Sequence, residues 1–309
     1  MARKETRDLG LAGAGFAVAA YTVWGVMPAY WKALSAVAPP EILAHRVVWS
    51  LVFTLGVVLV LGRFEEVRDV LRHPRRRLAL CASGLLIAVN WGIFIWSVSV
   101  GRLVEASFGY YLTPLVNVAL GMLLLGERPS QRQQVAIAIA ALGVLVLGIG
   151  SGAAPWLPIS LALSFGLYGL LRKLTPVASI VGLTLETALL TPLALGYLFV
   201  LASTGKGHLH ADLSWTSVML VLAGVVTALP LIWFASAAKR LSFSTLGLFQ
   251  YLSPTLSFLL AVAVYGEPFT RYQAFAFACI WVAIALYIAE SLRTSVRAIP
   301  SPEPLDAGP

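Results

Sequence analysis

The chain has 309 residues, of which 59% are hydrophobic and only 12% charged, with a net charge of +8 and a mean hydropathy of +0.85. A soluble domain carries about 25% charged residues and is less than half apolar, so this much charge cannot clothe a water-soluble globule of such size. Composition therefore argues against an ordinary cytosolic enzyme, a disordered chain or a nucleic-acid binder, despite the basic balance.

A helix needs roughly 20 mostly apolar residues to cross about 30 Å of hydrocarbon. Ten such runs follow one another at 9–31, 40–62, 78–100, 103–125, 133–150, 155–171, 179–202, 215–237, 243–265 and 272–291. The first carries Trp24, Pro28 and Tyr30 and lacks a small-residue cleavage pattern, which makes it a retained span rather than a removable signal. The runs are unbroken rather than alternating, so helices cross and barrel strands do not. An all-α polytopic membrane protein of ten transmembrane helices is expected. Residues 63–77 read as one basic loop, and residues 203–214, with His208 and His210, as a solvated loop rather than a metal site. Cys81 and Cys279 sit in apolar runs without ligand spacing and read as small hydrophobes.

Short cytoplasmic loops retain Lys and Arg. With both ends inside, the cytoplasmic segments hold seventeen basic residues against four in the outer loops, and Arg46 alone lies within a span. The positive charge is then a topology signal with attraction to anionic lipid heads, and no nucleic-acid partner is required.

At an offset of 140 residues Tyr111, Leu112, Pro114, Leu120, Gly126, Glu127 and Gln133 meet Tyr251, Leu252, Pro254, Leu260, Gly266, Glu267 and Gln273. At 141, Gly25 meets Gly166, Lys32 meets Lys173, and His45 meets Glu186. The chain thus reads as two five-helix units, 9–150 and 155–292, between a cytoplasmic tail at 1–8 and a disordered proline-containing tail at 293–309. Five is odd, so the second unit inserts inverted. That symmetry suits alternating access about a midplane site.

Ionisable groups inside spans cost at least about 2.5–3.5 kcal/mol each, and so ask for a partner, water or a role. Arg46, beside His45, offers a fixed positive charge for an anionic group or a gate. Glu186 offers a carboxylate able to take a proton, which admits proton coupling. Glu105 stands at the outer start of span four. His45 and Glu186 are repeat equivalents but differ by about 12 Å in height, so no direct pair is expected, and the surrounding helices supply few other counter-ions. A structural ion pair or snorkelling is the plainer alternative for these groups.

Asn90, Asn117 and Gln250 lie well inside spans, either lining a polar cavity or joining helices by hydrogen bonds. Trp91, Trp96, Tyr110 and Tyr111 beside them could wall a pocket, or simply pack. Pro114 and Pro254 are matched central kinks, where the hydroxyls of Thr113 and Ser253 can help satisfy freed carbonyls. Gly148 with Gly152 offers close packing or a homodimer face. All four aspartates lie outside the spans, and the chain has no nucleotide-hydrolysis motif, no H-E-x-x-H and no G-x-S-x-G; catalytic residues, metal ligands and cofactors are not expected. Any transport is driven by gradients.

The segments A-A-Y-T-V-W-G-V-M-P-A-Y-W-K (19–32), E-I-L-A-H-R-V-V-W-S (41–50), E-A-S-F-G-Y-Y-L-T-P-L-V-N-V-A-L-G (105–121), L-G-E-R (125–128) and S-T-L-G-L-F-Q-Y-L-S-P-T-L (244–256) resemble RarD-type permeases of the EamA family, within the drug/metabolite transporter superfamily. The resemblance runs from about Leu9 to Leu292. It implies two EamA repeats, a bacterial inner membrane, a chloramphenicol-sensitivity label, and a secondary active transporter exporting a small metabolite or amphiphilic drug. It also implies that a subset of Trp24, Gly25, Glu41, His45, Arg46, Trp49, Asn90, Trp91, Glu105, Tyr110, Pro114, Asn117, Gln250 and Pro254 lines the path. A non-transporting sensor or scaffold, or a channel, is the alternative reading.

Overall fold

A computed structural model describes residues 2–100, 102–151, 155–210, 214–266 and 270–297, without the side chains of 2–9, 98, 99, 103–105, 107, 151 and 291–297. No strand occurs among the described residues. The helices are α1 (Ala2–Ala33), α2 (Pro39–Val60), α3 (Phe64–Arg72), α4 (Pro74–Ser99), α5 (Leu103–Leu124), α6 (Gln131–Ser151), α7 (Trp156–Leu174), α8 (Ser179–Ser203), α9 (Trp215–Ala238), α10 (Phe243–Gln250), α11 (Leu252–Leu259) and α12 (Arg271–Arg297), with a π-helical turn at Leu260–Val264 following α11. Among the described residues nine stretches are long and apolar enough to cross a membrane, and Phe108–Leu124 in α5 adds a shorter one. The ten expected spans are thus α1, α2, α4 to α9, the α10–α11 stretch and α12, five in each repeat. The α12 helix runs on to Arg297, past 293, and residues 298–309 lie outside the described residues.

The basic segment between α2 and α4 is not a loop. Nine of its residues form α3, which buries Val67 and Val70 with Val58, Leu80, Val177 and Val181. Its outward residues pair along the helix, Arg63 with Glu66 at 2.5 Å and Arg68 with Glu65 at 3.0 Å. Phe64, Val67, Val70 and Leu71 recur at helical spacing, so the amphipathic face was present in the sequence but was masked by the surrounding run of charge.

Helix ends repeat with the sequence. Glycines with positive φ stand at 62, 126, 205 and 266, closing α2, α5, α8 and the π turn, where an L side chain would be strained. They form two equivalent pairs. Reciprocal capping boxes open the fifth and tenth spans. Ser130 N donates to Gln133 Oε1 at 2.9 Å and Gln133 N to Ser130 Oγ at 3.3 Å. Thr270 and Gln273 make the same two bonds at the same distances.

Packing divides the chain into one unit of residues 1–127 with 151–269 and another of 128–150 with 270–309. In the smaller, α6 and α12 approach closely at Gly143, where an added Cβ would lie 2.8 Å from Cys279 Cβ. Arg132 and Glu290 form a salt bridge at 3.3 Å. Gly152, the second residue of the candidate homodimer face, lies outside the described residues.

In the larger unit the two repeats interlock. A Cβ on Gly25 of α1 would sit 2.6 Å from Leu256 Cβ of α11, and one on Gly166 of α7 would sit 2.9 Å from Val116 Cγ1 of α5. Gly25 and Gly166 are equivalents, and so are Leu256 and Val116. Each half therefore buries a glycine face against the other half's proline-bearing span. The equivalents Trp24 and Phe165 touch each other, ring centroids 5.8 Å apart, inside a cluster with Tyr21, Tyr168 and Phe234.

The two prolines behave differently. The α5 helix continues through Pro114, with Thr113 Oγ1 donating to Gly109 O at 2.7 Å. In the second half the helix breaks at Tyr251, just before Pro254 of α11, and Thr255 Oγ1 reaches Tyr251 O at 2.8 Å. The carbonyl freed by Pro114 belongs to Tyr110, so the Thr113 hydroxyl serves the neighbouring one.

Candidate functional site

Because consecutive spans reverse direction, one end of the larger unit carries α3 and the segments at 125–127, 174–179 and 239–242. This is the basic end. The opposite end carries the segments at 33–39 and 203–210.

Arg46 lies a turn and a half into α2, counted from the opposite end. Its Nε donates to Thr227 Oγ1 of α9 at 2.9 Å. The guanidinium carbon lies 4.8 Å from the Trp31 ring centroid of α1 and 5.1 Å from that of Trp91 in α4, both within cation–π range. Tyr30 and Tyr110 are close enough to interact with it electrostatically. No carboxylate lies within 4.0 Å of Arg46 among the described residues. Tyr110 is 50% exposed and meets Phe94 edge-on at 6.0 Å, while Tyr111 is partly buried on α5. The side chain of Glu105 lies outside the described residues.

One turn earlier on α2, the buried Glu41 carboxylate accepts His208 N at 2.7 Å and contacts His208 Nδ1 at 2.8 Å. His45 Nε2 lies 3.9 Å from the same carboxylate, and its Nδ1 has no partner among the described residues. His208 is thus tied down by a carboxylate, where a solvated loop was expected. Sequence offered Glu41 through the E-I-L-A-H-R string and as one of the residues the family resemblance implies could line the path, with no partner for it.

At the basic end Glu186 of α8 is 1% exposed and far from isolated. Ser83 Oγ of α4 donates to its Oε1 at 2.5 Å, Tyr168 of α7 donates to Oε2 at 3.5 Å, and Arg172 Nη1 lies 3.5 Å from Oε1. The expectation of few counter-ions fails here, because Arg172 turns inward instead of marking a cytoplasmic flank. Its guanidinium fits only because residue 182 is glycine, since a Cβ there would collide with it. Lys239 donates to Val177 O. Burial pushes the Lys239 ammonium down to about 8, the positive charges of Arg172 and Arg240 push the same way, and Glu186 opposes them. Lys173 Nζ donates to the carbonyls of Ala238 and Leu241 at 2.8 and 2.5 Å, closing the end of α9. Glu127, from L-G-E-R, accepts Phe243 N at 2.5 Å and Ser244 N at 2.8 Å, and so caps α10.

Between these ends Asn117 Nδ2 of α5 donates to Gln250 Oε1 of α10 at 2.9 Å, and both residues are buried. Asn117 Oδ1 has no donor among the described residues. Asn90 Nδ2 instead bonds Leu161 O at 2.9 Å and Ser164 Oγ at 3.0 Å of α7. The sequence-selected residues therefore fall into separate groups. Arg46 meets Trp91, Asn117 meets Gln250, His45 lies by Glu41 and Glu186 pairs with Arg172. Thr227, Trp31, Ser83, Tyr168 and Arg172 were missed, being ordinary residue types whose roles arise only from packing between helices.

Long apolar helices in two interlocked repeats, with polar groups meeting between the repeats, define the class as a polytopic helical membrane protein. Comparison with known proteins agrees. The EamA-like transporter family matches residues 11–149. A protein named "Uncharacterized transporter" in Vibrio cholerae is 49% identical over 278 residues, covering 90% of this chain and 92% of that protein. Protein RarD of Escherichia coli K12 is 41% identical, covering 96% and 99%. The chloramphenicol-sensitive protein RarD of Pseudomonas aeruginosa is 30% identical, covering 91% and 95%. A crystal structure sharing 20% identity superposes with a TM-score of 0.70 over 91% of this chain and 99% of that one, a likeness of fold. The chain belongs to the EamA-like transporter family, among its RarD-type members.

Proposed function

We propose that this chain is a secondary active transporter of a bacterial inner membrane, with both termini cytoplasmic, that exports a small metabolite or amphiphilic drug and catalyses no chemical conversion. Its working halves are residues 9–150 and 155–292, which rock to expose a central path to either side in turn. The observation that carries this reading is that polar groups within the spans bond across the halves: Asn117 to Gln250, Arg46 to Thr227, and Ser83 to Glu186. Contacts of this kind break and re-form when one half moves against the other, and they are the means by which two packings of one bundle come within a few kcal/mol of each other.

A chloramphenicol-related cargo rests on the name of the Pseudomonas aeruginosa relative. Proton coupling rests on Glu186, whose carboxylate is free to exchange a proton with water only when the Arg172 pair opens during the cycle. The test is an untargeted comparison of solutes exported by cells with and without the protein, chloramphenicol included, followed by uptake of the responding solute into proteoliposomes under an imposed pH gradient. Saturable uptake supports a carrier. Conductance that does not saturate, or no solute responding at all, overturns it, and equal gradient-driven uptake by wild type and Glu186→Gln removes Glu186 from coupling.

A further inference from the structure

The buried Arg172 faces Glu186, and Lys173 donates to two helix-end carbonyls. Arg46 differs. The Trp31 and Trp91 rings lie against its guanidinium, and Thr227 takes the Nε hydrogen, which fixes the group's position. The two terminal nitrogens are left without a hydrogen bond among the described residues. They are not sealed off, whereas Nε and Nη1 of Arg172 are both buried and unbonded. What remains is the outer edge of a rigid fork carrying parallel N–H donors. A carboxylate fits that edge by two parallel bonds.

We infer that Arg46 is a binding site for the carboxylate of the cargo, and that the cargo is a monocarboxylate with an apolar or aromatic body lying along Trp31, Trp91 and Tyr110. This deepens the transport reading and rests on it. A monoanion is favoured over a dianionic phosphate because the geometry places a single fixed guanidinium, between Trp31, Trp91 and Thr227, to receive it. The aromatic rings leave the positive charge in place while lowering the cost of holding it within the spans, so ligand binding need not first break an internal ion pair. Thr227 acts as a positioning residue. It aims the fork and does not touch the cargo.

The probe is a panel of aromatic and aliphatic monocarboxylates, each paired with its neutral primary amide, together with phenyl phosphate. Binding to the full chain in lipid nanodiscs is read by tryptophan fluorescence. Losing a hydrogen-bonded charge contact corresponds to roughly tenfold or more in affinity. The expected result is that at least one carboxylate binds about tenfold tighter than its amide and than phenyl phosphate. That preference should vanish in Arg46→Gln, survive in part in Arg46→Lys, and weaken in Thr227→Val. The inference is overturned if amides match carboxylates, if phenyl phosphate binds best, if Arg46→Gln keeps the preference, or if no carboxylate binds. The wild-type comparison stands even where a variant misfolds. Counterflow of the same probes in proteoliposomes separates this outcome from the transport reading: carboxylate binding without exchange sinks transport and keeps the site, while exchange of amides and carboxylates alike sinks the site and keeps transport.

Discussion

Glu186 and Arg172 are each 1% exposed and lie 3.5 Å apart, and each makes the other tolerable. Removing one partner of a buried pair leaves an uncompensated charge, at a cost of about 3–5 kcal/mol, whereas replacing both by apolar residues of similar volume is close to neutral. Arg172→Met should therefore lower thermal stability in detergent sharply, and Arg172→Met with Glu186→Met should recover most of the loss. A double variant no more stable than the single one would show that packing around Arg172, and not its charge, is what matters. Glu186 was legible in the sequence because a carboxylate inside an apolar run is conspicuous. Arg172 was not, because Arg-Lys at a span end is also what topology alone requires. Only the neighbouring Gly182, which clears the space, distinguishes an inward arginine from an outward one, and glycine within a span equally serves close helix packing.

At the scale of the element, ends were more informative than middles. The pairing of Gln133 with Gln273 marks the repeat in sequence, and its cause is the capping box that each completes with Ser130 or Thr270. Deleting a cap hydroxyl costs about 1 kcal/mol. Ser130→Ala and Thr270→Ala should each lower stability by that amount, and the double variant by the sum, since the two caps share no bond. Unfolding in detergent measures this, and a neutral Ser130→Ala would show that the box adds nothing beyond geometry. The α3 helix was overlooked because its many charges read as a loop, although Phe64, Val67, Val70 and Leu71 repeat at helical spacing; what the pattern does not show is that Val67 and Val70 bury against α4 and α8. The difference between Pro114 and Pro254 was likewise hidden, as Y-L-T-P and Y-L-S-P give no hint that only the second helix breaks.

At the scale of the molecule, the spans and the repeat were readable because hydrocarbon demands long apolar helices and the repeat copies their caps. The interlocking of the halves was not, since it depends on which glycine faces which span. Gly25 against Leu256 and Gly166 against Val116 mean that neither half has a complete core by itself. Splitting the chain at 152–154 should thus give two fragments that are degraded when expressed singly and that co-purify when expressed together. Stable single fragments that ignore each other would contradict the interlock.

Trp24 and Phe165 occupy equivalent places and touch. On the alternating-access reading they form a fulcrum, where displacement is smallest while the ends of the bundle swing as lever arms. Two identical rings there would leave both tilts balanced. An indole against a smaller phenyl is unequal, so on that reading a pivot built from this pair would favour one tilt over the other before any cargo or gradient acts.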